Sequence, residues 1–192
     1  MPYRVTLLVA SCAALAACSG ERREAPPANE TESNAVASAP EAVPQTIGLM
    51  AADGRPVGTV TLSEDASGIT VLVDASAIPV GTHGLHLHEK GVCEGPKFES
   101  AGAHWNPESK QHGRDNPMGA HLGDLDNLVV PEAGTASAKL TLPGVTISGT
   151  AHALGDADGT SLVIHAKQDD YRTDPSGNSG DRIACAVLAA PK

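Results

Sequence analysis

The chain has few aromatic residues, no excess of positive charge, and no apolar run long enough to cross a bilayer. Aromatics make up 2% of its 192 residues, so any core must be assembled from Val, Ile, Leu and Ala, whose β-branched members favour strands. Thirteen Lys and Arg stand against 23 Asp and Glu, and the cations are scattered. Without a basic stripe there is no electrostatic footprint for nucleic acid. The most apolar stretch, Val5 to Ala17, is too short for a membrane span and has the build of a secretory h-region. No segment carries a persuasive 3.6-residue stripe, which argues against a helical fold.

The N-terminal part reads as targeting sequence. Residues 1–17 have the pattern of a signal peptide, and Leu15-Ala16-Ala17-Cys18 resembles the bacterial lipobox, in which the cysteine is acylated and begins the mature chain. Ordinary cleavage near Cys18, or an uncleaved anchor, is the alternative. Residues 18–44 are rich in Ala, Pro, Glu, Asn and Ser. Such a segment cannot bury enough surface to offset the entropy of ordering, so it reads as a disordered tether. Residues 45–192 then form one domain of ordinary size. The expected location is the periplasm or cell envelope, with membrane contact only through lipid on Cys18. Ser19 rather than Asp after that cysteine favours the outer membrane.

Of four cysteines, Cys12 lies in the signal and Cys18 carries lipid. Cys93 and Cys185 remain. In an oxidising compartment they read as one disulfide, the alternative being two free thiols.

Within the domain, short apolar stretches separated by Gly, Pro, Asp and Asn predict strands. They lie near residues 45–51, 57–62, 68–74, 82–88, 137–142, 146–151, 161–166 and 182–189. The fold class is all-β, a sandwich or barrel. Two connections, roughly Glu89–Asn127 and Lys167–Asp181, are longer than a compact domain usually tolerates without a function.

Those connections hold much of the unusual chemistry. All eight histidines lie in the domain, and six fall on strand ends or in the long loops: His86, His88, His104, His112, His121 and His165. Residues two apart on a strand share a face, so His86 and His88 can reach one ion. His104, His112, His121 and Asp124 supply three imidazoles and a carboxylate from one loop, a closed set suited to structural zinc. His83 and His152 read as hydrogen-bonded structural residues.

Three stretches resemble the copper/zinc superoxide dismutases, in particular their bacterial exported branch. They are His83-Gly84-Leu85-His86-Leu87-His88-Glu89; Ser100-Ala101-Gly102-Ala103-His104-Trp105-Asn106-Pro107, continued by His112 and His121-Leu122-Gly123-Asp124-Leu125; and Gly177-Asn178-Ser179-Gly180-Asp181-Arg182-Ile183-Ala184-Cys185. The resemblance implies an eight-stranded antiparallel Greek-key barrel. It implies copper on His86, His88, His104 and His165, and zinc on His104, His112, His121 and Asp124, with His104 bridging the two ions. It further implies that Asp169 ties ligands of both metals together, that Arg182 is the cation beside the copper, and that Cys93 and Cys185 pair to pin the long loop to the last strand. The implied reaction converts superoxide to oxygen and hydrogen peroxide, with catalytic roles for His104 and Arg182. Homodimer and monomer both stay open. Ala186 and Leu188 depart from the usual family residues, which touches only local packing.

A binding module is the rival class: a non-catalytic copper/zinc buffer or delivery protein. Such a protein is expected to hold copper in an exposed, exchangeable site, often with thiolate or thioether ligands selecting Cu(I), yet the domain's methionines are only Met50 and Met118, neither beside the histidine cluster, and both its cysteines read as a disulfide. Cupin oxygenases and metallo-β-lactamase-like hydrolases also begin from His-x-His, but they leave His104, His112, His121 and Asp124 without a role.

Overall fold

The computed structural model describes residues 43–149 and 151–192. The signal peptide, Cys18 and nearly all of the tether expected from sequence lie outside them. Among the described residues there is no α-helix, and nine strands carry the fold. They are β1 (Gln45–Ala51), β2 (Pro56–Asp65), β3 (Gly68–Ser76), β4 (Gly81–His83), β5 (Leu85–His88), β6 (Leu128–Val130), β7 (Thr135–Pro143), β8 (Thr160–His165) and β9 (Arg182–Ala189). Seven form one antiparallel sheet in the order β5-β8-β9-β1-β2-β3-β7, and β4 pairs with β6.

Strand periodicity places the core. In β3, Ile69, Val71, Val73 and Ala75 are buried while Thr70 and Leu72 between them are only partly covered. They meet Val60 and Leu62 of β2, Leu49 of β1, and Leu85 and Leu87 of β5 in one aliphatic cluster. The edge strand β7 keeps most of its residues wet, and Leu142 is its one buried side chain. At about 25 cal/mol per Å² of apolar surface, such a core has to be extensive to outweigh chain entropy without large aromatic side chains in its strands.

Three expectations change in detail. The predicted strand near 82–88 is two strands broken at Gly84, where a Cβ would sit 2.8 Å from Ser179 Cβ and 3.2 Å from His86 Cε1. Among the described residues near 146–151 there is no strand, and Thr146 makes an isolated bridge to Ala153. The short β-branched run there resembled a strand, but its main-chain pairing is confined to Thr146 and Ile147, where Leu154 N–H donates to Thr146 O and Gly155 N–H to Ile147 O at 2.9 Å each. Conversely β6, three residues beside the long loop, was too short to stand out by periodicity.

The chain's single Phe and single Trp are in the loop between β5 and β6, not in the sheet. Trp105 joins the main core, and Phe98 packs with Ala101, Val163 and Cys185 in a satellite cluster beside Cys93. Cys93 and Cys185 are disulfide-bonded. The loop is thus anchored by two buried aromatic side chains and a covalent bond.

Candidate metal centre

Strand β5 sets the site. Its Leu85 and Leu87 point into the core, so His86 and His88 take the opposite face, yet all four residues are buried. The cover is the long loop, which returns along the free edge of β5. Leu87 N–H donates to Gly123 O at 2.9 Å, Trp105 N–H donates to Leu87 O at 2.8 Å, and Glu89 N–H donates to Ala103 O at 2.9 Å. Isolated bridges set His104 opposite His88 and Asp124 opposite His86. Edge-strand groups that would otherwise stay unpaired are satisfied by the loop, and that same pairing delivers the loop's ligands to the His-x-His face. On the other side β8 ends at His165, whose cross-strand partner is Arg182 at the start of β9.

Six histidines and Asp124 therefore converge. His86, His88, His104 and His165 form one buried group of donor atoms within 4.8 Å of one another, and His86, His104, His112 and Asp124 form another. His121 joins the second through its Nδ1, 3.1 Å from Asp124 Oδ1. The structure thus brings together all seven residues that the sequence put forward as ligands. His83 and His152 belong to neither group. His83 lies between the carbonyls of His165 and Pro79 at 2.8 Å each, and His152 Nε2 is 3.5 Å from Glu108.

Hydrogen bonds settle which ring nitrogens are free. His88 Nδ1 faces Gly102 O at 3.0 Å, and His165 Nδ1 faces Gly180 O at 3.1 Å. A carbonyl only accepts, so both Nδ1 atoms carry hydrogen and Nε2 is the free lone pair. His88 Nε2 and His165 Nε2 lie 3.4 Å apart. Asp169, fully buried, takes His86 Nε2–H at 2.6 Å and His112 Nε2–H at 3.0 Å, leaving Nδ1 of both rings free. His86 Nδ1, His104 Nε2 and His112 Nδ1 are buried without a hydrogen-bond partner. Buried polar atoms rarely stay unpaired; here three of them point at two common centres.

The second centre fits zinc. Asp124 Oδ1 is 3.1 Å from His104 Nδ1, 2.9 Å from His112 Nδ1 and 3.1 Å from His121 Nδ1. The His112 approach is close but off the hydrogen-bonding direction. A tetrahedron with bonds of 2.0–2.1 Å has edges of about 3.3 Å, near these separations. The first centre is all imidazole, a donor set suited to copper. His104 serves both, its Nδ1 toward Asp124 and its orphaned Nε2 away from it. Its ring centroid is 4.0 Å from that of His86 and 5.0 Å from that of His88.

Burial keeps the rings of the first centre neutral. Burial lowers His104 to about 4, helped by neighbouring imidazoles, and burial with the His86 ring beside it lowers His165 to about 3. His86 and His88 are depressed for the same first reason. Burial alone would also lower His112, but the Asp124 and Asp169 carboxylates outweigh it and raise that ring to about 9. Asp124 is held ionised against burial by the three imidazoles around it.

Arg182 donates to Phe98 O and Gly102 O at 2.6 Å each. The Gly102 carbonyl thus receives both Arg182 and His88, fixing the guanidinium beside the first centre. The adjoining cleft is lined by Pro96, Lys97, Glu99, Gly180, Asp181 and Arg182. Sequence reasoning missed the carbonyls of Gly102 and Gly180 because main-chain acceptors leave no residue-type signal.

Comparison with known proteins agrees with this geometry. Residues 57–188 match the family model for copper/zinc superoxide dismutase (SODC). The chain is 39% identical over 142 residues to superoxide dismutase [Cu-Zn] 2 of Aquifex aeolicus, covering 73% of this chain and 83% of that one. It is 36% identical over 189 residues to the superoxide dismutase-like protein YojM of Bacillus subtilis, covering 97% and 96%. A crystal structure of a double mutant of a SOD-like protein from Bacillus subtilis superposes with a TM-score of 0.73 at 40% identity, covering 76% of this chain and 97% of that one. Matched in sequence over most of the domain and in fold over the same span, this chain belongs to the copper/zinc superoxide dismutase family.

Proposed function

We propose that the chain is an exported superoxide dismutase, converting two superoxide anions and two protons to oxygen and hydrogen peroxide. The observation that carries this reading is His104, one ring shared between two donor sets, with Nδ1 in one and an unpartnered Nε2 facing the other. His86, His88, His104 and His165 would hold copper, and His104, His112, His121 and Asp124 would hold zinc. Copper when bound would supply one-electron redox chemistry, and zinc, which has none, would supply positive charge that holds its ligands together.

The protein's own groups do the rest. Gly102 O and Gly180 O fix the tautomers of His88 and His165, while Asp169 fixes those of His86 and His112. The rings are thereby oriented before any ion arrives. His104 Nε2 is the atom at which a proton can be held and passed to nascent peroxide, with the ring kept in place by its Nδ1 side. Two of Arg182's N–H groups are committed to carbonyls, which rigidifies the guanidinium and leaves other donors for a small anion in the cleft. Net charge is −10, so overall attraction does not draw superoxide in. Charges farther than about 8 Å are largely screened at physiological salt, and the local field of Arg182 dominates, as is established for electrostatic steering in this family.

The same reading extends to the architecture and the setting. Taking β4 and β5 as one strand interrupted at Gly84 gives eight strands, a count that supports reading the domain as the family's Greek-key barrel. The domain would work outside the cytoplasm, tethered through lipid on Cys18 to a membrane, the outer one favoured, as a monomer or homodimer.

The deciding experiment measures bound copper and zinc in the isolated protein beside its rate of superoxide decay. Loaded protein should accelerate decay, and His165→Ala should lose the activity while keeping zinc. Full copper and zinc occupancy without superoxide consumption above buffer would make the chain a metal buffer instead.

A further inference from the structure

Both donor sets depend on Asp169, and the groups that hold Asp169 are outside both sets. Its carboxylate accepts from His86 Nε2, from His112 Nε2 and, at 2.7 Å, from Tyr171 N–H. A carboxylate serving two rings is only as well aimed as its main chain, and here that main chain sits in an irregular connection with no strand partner. One side chain takes the partner's place. Asn127 Oδ1 accepts Asp169 N–H at 2.9 Å, and Asn127 Nδ2 donates to Asp169 O at 3.0 Å. The primary amide thus pairs with both main-chain groups of a single residue.

Asn127 is itself held. Its main-chain N–H donates to the Tyr171 hydroxyl at 2.7 Å, so Tyr171 contacts Asp169 through its own N–H and Asn127 through its side chain. The Arg114 guanidinium lies 3.7 Å over the Tyr171 ring and pairs with Asp126. Asp115 N–H donates to Tyr171 O at 2.9 Å, and His112 N–H donates to Asp174 at 2.6 Å. These contacts sew the loop after β5 to the loop after β8 at the point where Asp169 reaches both centres.

We propose that Asn127 and Tyr171 are positioning residues for both metal centres. They act by fixing the main chain of Asp169, so that its two carboxylate oxygens stay aimed at His86 and His112. This rests on the ligand assignment above but not on the turnover. Ligand supports of this kind need to hold angles to within about 10–20° to keep a site productive, and their loss typically costs 10–100-fold in metal affinity or activity.

The test uses the full chain loaded with copper and zinc, as wild type, Asn127→Ala, Asn127→Asp and Tyr171→Phe. Two readouts are independent of superoxide: the rate of zinc release to excess EDTA, and the Cu(II) visible band with its EPR hyperfine splitting. Asn127→Ala should release zinc about 10–100-fold faster and shift the copper spectrum. Asn127→Asp keeps the acceptor for Asp169 N–H and loses the donor to Asp169 O, so it should fall between that variant and wild type. Tyr171→Phe, which deletes one oxygen and keeps the ring under Arg114, should move both readouts in the same sense, and it decides the matter if Asn127→Ala does not fold. Val71→Ala, in the shared aliphatic core and outside both donor sets and the Asn127–Tyr171–Asp169 contacts, controls for general loss of stability and should move neither. The proposal is overturned if Tyr171→Phe and any folded Asn127 variant match wild type in both readouts, or if Val71→Ala changes them equally. Wild-type protein that holds both metals but consumes no superoxide would sink the enzymatic reading and leave these measurements interpretable.

Discussion

At the scale of single residues, the centre depends on groups with almost no freedom. Gly177 is one: its φ is 61°, and an added Cβ would collide with Asp169 Oδ1 and lie 2.6 Å from His112 Nε2. Gly177→Ala is therefore expected to push Asp169 off His112 and speed zinc loss by about 10-fold or more, read as zinc release to a chelator. An unchanged rate would mean the loop yields without disturbing that pair. Arg182 makes a contrasting case, since it touches the cleft and no donor set directly. Arg182→Ile should leave both metals bound, lower the rate of superoxide decay and flatten its dependence on ionic strength. Equal activity and salt dependence at equal metal content would remove Arg182 from the mechanism.

At the scale of elements, the loop after β5 works as a substitute strand. It lies along the free edge of β5, and the Cys93–Cys185 disulfide ties its first turn to β9. Phe98 O and Gly102 O, which hold Arg182, belong to the segment behind that tie. The bridge joins positions 92 residues apart, and closing so long a loop in the unfolded chain is worth ~4 kcal/mol in the entropy model. Cys93→Ser with Cys185→Ser should lower unfolding free energy in urea by about that amount, and should slow superoxide decay beyond any loss of copper because the Arg182 carbonyl partners loosen. Activity per bound copper equal to wild type would show that Phe98 and Trp105 anchor the loop unaided.

At the scale of the whole molecule, the buried histidines set how the metal-free protein responds to pH. In the unfolded chain they titrate near 6.5. Folding holds His104 at about 4 and His165 at about 3, with His86 and His88 also lowered. Below pH 6.5 the unfolded chain takes up protons that the folded one refuses, so stability falls as acid is added. His112 has the opposite sign: raised to about 9, its contribution is complete below 6.5 and disappears as pH rises through 9. The midpoint temperature of the metal-free protein is expected to peak near pH 6.5 and fall on both sides. A steady rise from pH 4 to 9 would contradict these environments, and bound metal should suppress the acid limb by claiming the same nitrogens.

The linear order of residues by itself determined the all-β class, because Val, Ile and Leu recur at strand spacing between turn residues, and it marked candidate ligands, because clustered His and Asp are chemically distinctive, with the division into two sets implied by the family resemblance. It also located the two long connections, since they interrupt the strand pattern. Strand boundaries were less legible: the break at Gly84 answers to Ser179 and His86, the pairing at Thr146 and Ile147 is too short to make a strand, and β6 is defined by its pairing with β4. Only the tertiary structure decided which nitrogen of each imidazole is free, because that depends on the carbonyls of Gly102 and Gly180 and on Asp169, brought in from distant parts of the chain. The Asn127 and Tyr171 clamp was invisible for the same reason. An asparagine beside a short strand carries no mark of function until the chain folds back and sets another residue's main chain within reach of its amide.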